Sequence, residues 1–231
     1  MLEGLLFGTA IIVGIGIWFS GAGYGFAFFL GCVCLPLILF LGNTIVGIPL
    51  LWVTWAIIIF AASGYVRFIY QLNKVGNPNW RNILPHPLFV FTGILLIFGT
   101  VMNYTPYLPW SFDEFSTWGS WAKQIFVADT FWREDMVNIY RTYPKGWPMV
   151  VAFAQFPFTT YEEYRGIALL GLFHIAVLAL FYDVIRLILE RDSNCSQTAS
   201  SFISWTIILL LVSAEACWKL LPPSLLIERP V

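Results

Sequence analysis

Between Gly4 and Val66 the chain has no Asp, Glu, Lys, Arg or His, an uncharged run of 63 residues. Charged residues make up 11% of the 231 positions against 59% hydrophobic, and the mean hydropathy is +0.78; a soluble globular domain carries about 25% charged residues. A water-soluble domain is excluded. Basic tracts are missing too: 12 Lys+Arg against 13 Asp+Glu leave a net charge of -1, and with no basic stretch interleaved with aromatics no nucleic-acid partner is expected. Cysteine is sparse. Cys32 and Cys34 lie in one uncharged apolar run, Cys217 in another and Cys195 in a polar connection, so neither a disulfide framework nor a zinc site is expected. The N-terminus, MLEGLLFG, has an acid where a signal peptide has bases, and no small-residue cleavage site, so it reads as a retained span. No internal repeat and no low-complexity segment interrupts the chain, which reads as a single transmembrane domain over residues 1–231.

What is there is apolar sequence in lengths that fit a bilayer, where a span needs about 20 such residues. The uncharged run is long enough for three spans, near 5–20, 24–41 and 45–64, broken at SGAGYG and GNT; the first is short and glycine-rich, and a re-entrant pair is the alternative. A fourth is expected near 87–104, a fifth near 166–189 and a sixth near 201–221, where Pro222-Pro223 ends the helix. The expected fold is therefore all-α, a polytopic transmembrane bundle of about six spans. Arg67, Lys74 and Arg81 face no acid in their connection, and Arg186 and Arg191 flank the one after span five, which places both connections in the cytoplasm. The segment 105–165 then forms a large external loop.

That loop holds seven of the thirteen acids, five of the twelve bases, and Trp110, Trp118, Trp121, Trp132 and Trp147. In SFDEFSTWGSWAKQIFVADTFW, the residues Phe115, Trp118, Trp121, Ala122, Ile125 and Phe126 recur at helical spacing, with Ser116, Ser120, Lys123 and Gln124 opposite. The spacing predicts a juxtamembrane amphipathic helix lying on the outer leaflet. Asp113 and Glu114 stand at its start. One reading is a helix cap, since carboxylates are favoured there; the other is a general base at the lipid–water boundary, taking a proton from an acceptor hydroxyl. Lys123, Arg133, Arg141 and Lys145 could bind an anionic phosphate, Arg through its bidentate fork and Lys as a point charge. Arg133 with Glu134 and Asp135 reads more readily as a solvated charge cluster than as a binding site. Tyr143-Pro144-Lys145-Gly146 is a rigid turn into the apolar WPMVVAFAQF.

Taken together, DEFSTWGSWAK, ADTFW and IYRTYPKGWPMVVAF resemble the first outer loop of the GT-C membrane glycosyltransferases, which include protein mannosyltransferases and the aminoarabinose transferases of lipid A. Members of that family have an Asp-Glu pair after a transmembrane helix, a juxtamembrane helix, a short aspartate-aromatic turn and a Tyr-x-x-Tyr-Pro-Pro-Gly or Lys-Pro-Pro segment entering the next span. The counterparts here are Asp113 and Glu114, Asp129 to Trp132, and Tyr140 to Gly146. The resemblance covers about fifty residues. It implies sugar transfer, with inversion, from a polyprenyl-phosphate donor to an acceptor at the outer face, with Asp113 as the catalytic base, Glu114 its neighbour, and Lys145 and Tyr143 shaping the site. A divalent metal beside the acids is the one cofactor it admits. The chain departs from the family at Lys145, which stands in place of the second proline, in having about four spans before the Asp-Glu pair instead of one, and in ending after six spans, so it reads as a fragment, an incomplete GT-C-like core, or as a degenerate relative.

Glu215 and Lys219 sit four residues apart near the outer end of the last span, and read as a lipid-phosphate site or as a structural ion pair. His174 and Asp183 lie in span five, where a lone His most often makes a helix–helix hydrogen bond. Two other functions are compatible with the sequence: a non-enzymatic membrane protein with an external partner-docking loop, or a small transporter using Glu215, His174 and Asp183. Against the transporter stand the absence of repeated halves and the concentration of charge away from the membrane midplane.

Overall fold

The computed structural model describes residues 2–75, 86–102, 119–131, 146–158, 160–192 and 196–220. Among these residues there is no strand. The α-helices are α1 (Leu2–Gly16), α2 (Tyr24–Phe40), α3 (Leu50–Val75), α4 (Pro87–Met102), α5 (Ser120–Ala128), α6 (Gly146–Phe153), α7 (Glu163–Asp192) and α8 (Gln197–Leu220). A 3-10 turn, Ile17–Ala22, follows α1, and a π-helical turn, Leu41–Ile45, follows α2. Apolar sequence in lipid leaves backbone N–H and C=O groups no water to bind, so each segment must satisfy them internally, which a helix does.

Four helical segments are long and apolar enough to cross a membrane: Leu2–Phe19, Tyr24–Ile45, Leu50–Gln71 and Gly171–Arg191. The chain is thus a helical membrane protein, and the first three of these segments fall where three early spans were expected. The expected fourth and sixth spans correspond to α4 and α8, whose apolar stretches Pro87–Phe98 and Gln197–Ser213 are shorter than the other four.

The chain divides into two compact units, Met1–Ala179 and Leu180–Val231, with the boundary inside α7. In the first unit α1 is the central helix, packed on α2, α3 and α4. Its glycines make this possible. A Cβ at Gly4 would meet the backbone of Arg165, one at Gly8 the side chains of Leu169 and Leu172, and one at Gly14 the backbone of Ala61. Small residues let membrane helices approach backbone to backbone, so dispersion replaces the hydrophobic effect that lipid cannot supply. Gly64 on α3 faces the carbonyl oxygen of Gly14 in the same way, whereas nothing lies near a Cβ at Gly93. Gly64→Val is therefore expected to force α1 and α3 apart and cost about 3 kcal/mol, the upper part of the usual overpacking range. Gly93→Ala is expected to cost nothing. Thermal unfolding of the two variants in detergent compares them directly.

Two hydrophobic clusters fill this unit. One joins Ile11 and Ile15 to Leu35, Leu39, Leu50, Val53 and Ile57 and continues into α5 and α6; the other joins Leu5, Ile12, Phe28 and Cys32 to Leu88, Leu169, Leu172 and Ala176. The contacts sort the elements into two ends. At one end Tyr24 and Phe89 pack edge-on against His86, and Arg67 lies over Trp18 at 4.8 Å. At the other end stand the start of α1, the α2–α3 connection, the end of α5, the end of α6 and the start of α7, while the start of α6 lies farther along α7, Trp147 packing edge-on against Phe173. In the second unit the end of α7 pairs with α8: Tyr182 and Ser201 share a hydrogen bond of 2.9 Å, and Ser200 and Arg186 both donate to Glu190 Oε1, at 3.0 and 2.8 Å. Ser196 Oγ accepts from the Ala199 amide at 3.3 Å and starts α8.

Candidate functional site

Of the segment 105–165, the structure describes α5 with the turn to Phe131, α6 with the turn to Phe158, and the approach to α7. These pieces are built into the helical unit. Helix α5 buries Trp121, Ala122 and Ile125, and Ala122 and Ile125 join Met149, Val151, Ala152 and Phe153 of α6 in the same cluster as Leu39, Leu50 and Val53. The amphipathic reading of this stretch is correct in pattern and corrected in partner. The described part of the face assigned to the outer leaflet, Trp121, Ala122 and Ile125, is turned into the protein, because α6 offers it an apolar surface; Lys123 and Val127 are the exposed positions of the described helix. The described helix begins at Ser120; the expected helix start at Asp113 and Glu114 lies outside the described residues.

Helix α5 ends at Asp129, whose φ of +54° is left-handed, a conformation that Asp tolerates better than most side chains. The turn aims Asp129 at the start of α3. Its carbonyl oxygen accepts from the Leu50 amide at 3.1 Å and its Oδ1 from the Leu51 amide at 2.7 Å. Helix α3 follows Pro49, whose side chain cannot cap; Asp129, 78 positions away, does the capping. Asn43 in the π-helical turn holds the other side of the same junction. Its Oδ1 accepts from the Phe131 amide at 2.6 Å and from Thr130 Oγ1 at 3.3 Å, and its Nδ2 donates to the Ile48 carbonyl at 2.8 Å. Phe131 packs edge-on against Phe40, 5.5 Å between ring centres.

Helix α6 is buried from Pro148 to Phe153. Beyond it the chain turns through a clasp made by Gln155, fully buried. The Gln155 amide donates from Nε2 to the Glu162 carbonyl at 2.8 Å and accepts at Oε1 from the Glu162 amide at 3.1 Å. Gln155→Glu would set a carboxylate oxygen against that carbonyl while keeping the other bond. Loss of about 2 kcal/mol is expected, within the cost of an unsatisfied buried polar group, read as a lower unfolding temperature than that of the wild type. Arg165 closes the same corner. Its Nε donates to Glu3 Oε2 at 3.1 Å, NH2 pairs with Glu162 Oε1 at 3.1 Å, NH1 donates to the Thr160 carbonyl at 2.6 Å, and the guanidinium lies 4.2 Å from the centre of the Phe158 ring. Arg165 is thereby a structural cation, its donors held by protein acceptors. Tyr161 ties this corner to α5 by donating to the Gly119 carbonyl at 3.2 Å.

Of the residues that the sequence singles out, Lys123 is on the exposed side of α5. Glu215 and Lys219 fall in α8, where the helix is continuous through both positions and four residues make one turn. Asp113, Glu114, Arg133, Arg141, Tyr143 and Lys145 lie outside the described residues. In the sequence, Arg133 is two residues from the described Phe131, Lys145 adjoins Gly146, and Asp113 is six residues from Gly119. Among the described residues no three His, Cys, Asp or Glu side chains are grouped to hold a metal ion. Sequence reasoning missed Asn43, Gln155 and Arg165, and took Asp129 only as part of a turn; all four act through partners remote in sequence or on backbone groups, which no local pattern announces. No family model, no curated protein and no solved structure matches the chain.

Proposed function

We propose that the chain is a GT-C-like glycosyltransferase, or the part of one that carries its first acidic loop, acting on a polyprenyl-phosphate-linked sugar at the external or luminal face of the membrane. The acceptor hydroxyl oxygen attacks the anomeric carbon, the bond from that carbon to the phosphate oxygen breaks with inversion, and polyprenyl phosphate leaves. Asp113 takes the hydroxyl proton, Glu114 supports it, and the cations Lys123, Arg133, Arg141 and Lys145 with Tyr143 bind the phosphate and shape the site. Glu215 with Lys219 contributes a second lipid-phosphate contact.

One observation supports this reading: the described turn between the acidic and the cationic stretches, Asp129 to Phe131, packs against the start of α3, toward the opposite end of that helix from Arg67. That is the arrangement in which a base and a phosphate-binding loop can meet a donor whose lipid stays in the leaflet. The test is donor turnover. Proteoliposomes of the full chain, given radiolabelled polyprenyl-phosphate sugars and an extract of envelope acceptors, should move label from lipid to acceptor; intact donor after exhaustive incubation across the common sugars would overturn the transferase reading. Sidedness has its own check in a Ser116→Cys variant with the four native cysteines replaced. An impermeant thiol reagent should label it from outside in intact cells, and labelling only after permeabilisation would reverse the topology.

A further inference from the structure

We propose that the α2–α3 connection, residues 41–50, is immersed in the bilayer, with lipid as its partner, and that Asp129 is the cap that allows it to stay there. This does not rest on the transferase reading. The connection between two membrane-crossing helices ordinarily surfaces into water and carries charge or turn-forming polar residues. This one reads LGNTIVGIPL and has no charged residue. Of its apolar side chains, Leu50 is buried in the core and the others point away from the protein: Ile45 is 70% and Val46 65% exposed, and Ile48 is exposed too. They continue the outward apolar surface of α3, where Trp52, Trp55 and Ile59 are exposed along a segment long enough to span. A contiguous exposed patch of this kind marks a membrane or partner surface, and its continuity with a lipid-facing helix selects the membrane.

The backbone gives the independent argument. A turn in lipid is tolerated only if its polar groups are satisfied within the protein. The Val46 amide donates to the Leu41 carbonyl at 3.1 Å and the Ile48 amide to the Gly42 carbonyl at 3.0 Å, while the Ile48 carbonyl accepts from Asn43 Nδ2. Pro49 has no amide hydrogen, and its carbonyl accepts from the Trp52 and Val53 amides at 3.0 and 3.1 Å. The Leu50 and Leu51 amides, the ones a helix start leaves open, go to Asp129. A water-exposed turn needs none of this, since solvent would serve those groups. The exposed Val127 lies one turn beyond Lys123 on α5, next to this junction through Asp129. It extends the apolar surface, and the long Lys123 side chain can carry its ammonium back toward the headgroups.

The test uses the full chain in phosphatidylcholine nanodiscs, with the four native cysteines replaced and a bimane fluorophore on Val46→Cys. Ile59→Cys is the lipid-facing reference. The expected result is quenching of the Val46 label by a doxyl group at carbon 5 of the acyl chain to an extent similar to Ile59, with iodide quenching several-fold weaker than for free dye. Strong iodide quenching would put the turn in water and overturn the proposal. Protection from both quenchers would mean that protein covers the surface, and overturns it equally. In the same background Asp129→Ala should raise iodide quenching several-fold while Asp129→Asn, which keeps the accepting oxygen, should not; unchanged protection in the Ala variant would remove the cap from the proposal.

Discussion

Asp113→Asn is expected to lower sugar transfer by about 10²- to 10⁴-fold, the usual contribution of a general base, with no loss of folded protein. The substitution separates the two readings of this residue cleanly. Asn caps helices about as well as Asp, whereas Ala at a cap position costs about 1 kcal/mol, so Asp113→Asn spares a cap and abolishes a base. If Asp113 is only a cap, transfer stays at the wild-type rate in Asp113→Asn and the unfolding temperature drops in Asp113→Ala. If it is the base, both variants lose transfer and Asp113→Asn keeps its unfolding temperature. Glu114→Gln should be milder than Asp113→Asn, because a neighbour tunes the base without receiving the proton. Transfer assayed in proteoliposomes, beside thermal unfolding of the same preparations, gives both readouts.

The largest stability effect is expected at Asp129. Asp129→Val removes the oxygen that caps the Leu51 amide, about 0.5–2 kcal/mol, and places a β-branched side chain at a φ of +54°, a further cost of about 1–2 kcal/mol. Burial of the junction in lipid raises the first of these, since no water replaces the lost acceptor. Asp129→Asn keeps an accepting oxygen and suits the left-handed backbone, so it should unfold within a degree or two of the wild type. A chemical-denaturation series in mild detergent ranks Asp129→Asn, Asp129→Ala and Asp129→Val; equal stability in all three would remove the capping role that the 2.7 Å contact implies.

The early spans were legible because one signal governs them. An uncharged apolar run in lipid has a single backbone solution, and the breakers at SGAGYG and GNT fall at or near the two joints, Ile17–Ala22 and Leu41–Ile45. The pattern Trp121, Ala122, Ile125 was legible as one helical face, yet its partner was not. Period alone gives the direction of an apolar face, and in a membrane protein lipid and protein present the same chemistry to it. The cap of α3 shows the second limit. Leu50 follows a proline with no polar side chain before it, so the sequence around α3 names no capping residue, and the one used lies 78 positions downstream. Gln155 and Arg165 were invisible for the same reason: a Gln that clasps a backbone and an Arg held by Glu3 and Glu162 have no spacing that distinguishes them from surface residues.

The glycine-lined side of α1 has a consequence for how the protein is made. Helix α1 is synthesised before α7, but the surfaces at Gly4 and Gly8 are completed by Arg165, Leu169 and Leu172, and Glu3 finds Arg165 162 positions later in the chain. Until the ribosome has delivered α7, the bilayer holds α1 with a vacant slot beside it, flanked by α2 and α3. That slot is lined by glycine and aliphatic side chains, so lipid can occupy it at little cost and be displaced when α7 arrives. Assembly is then ordered in time: α1 to α4 can pack before α7 is made, and a chain halted before α7 is expected to lack the contacts that close this side of α1.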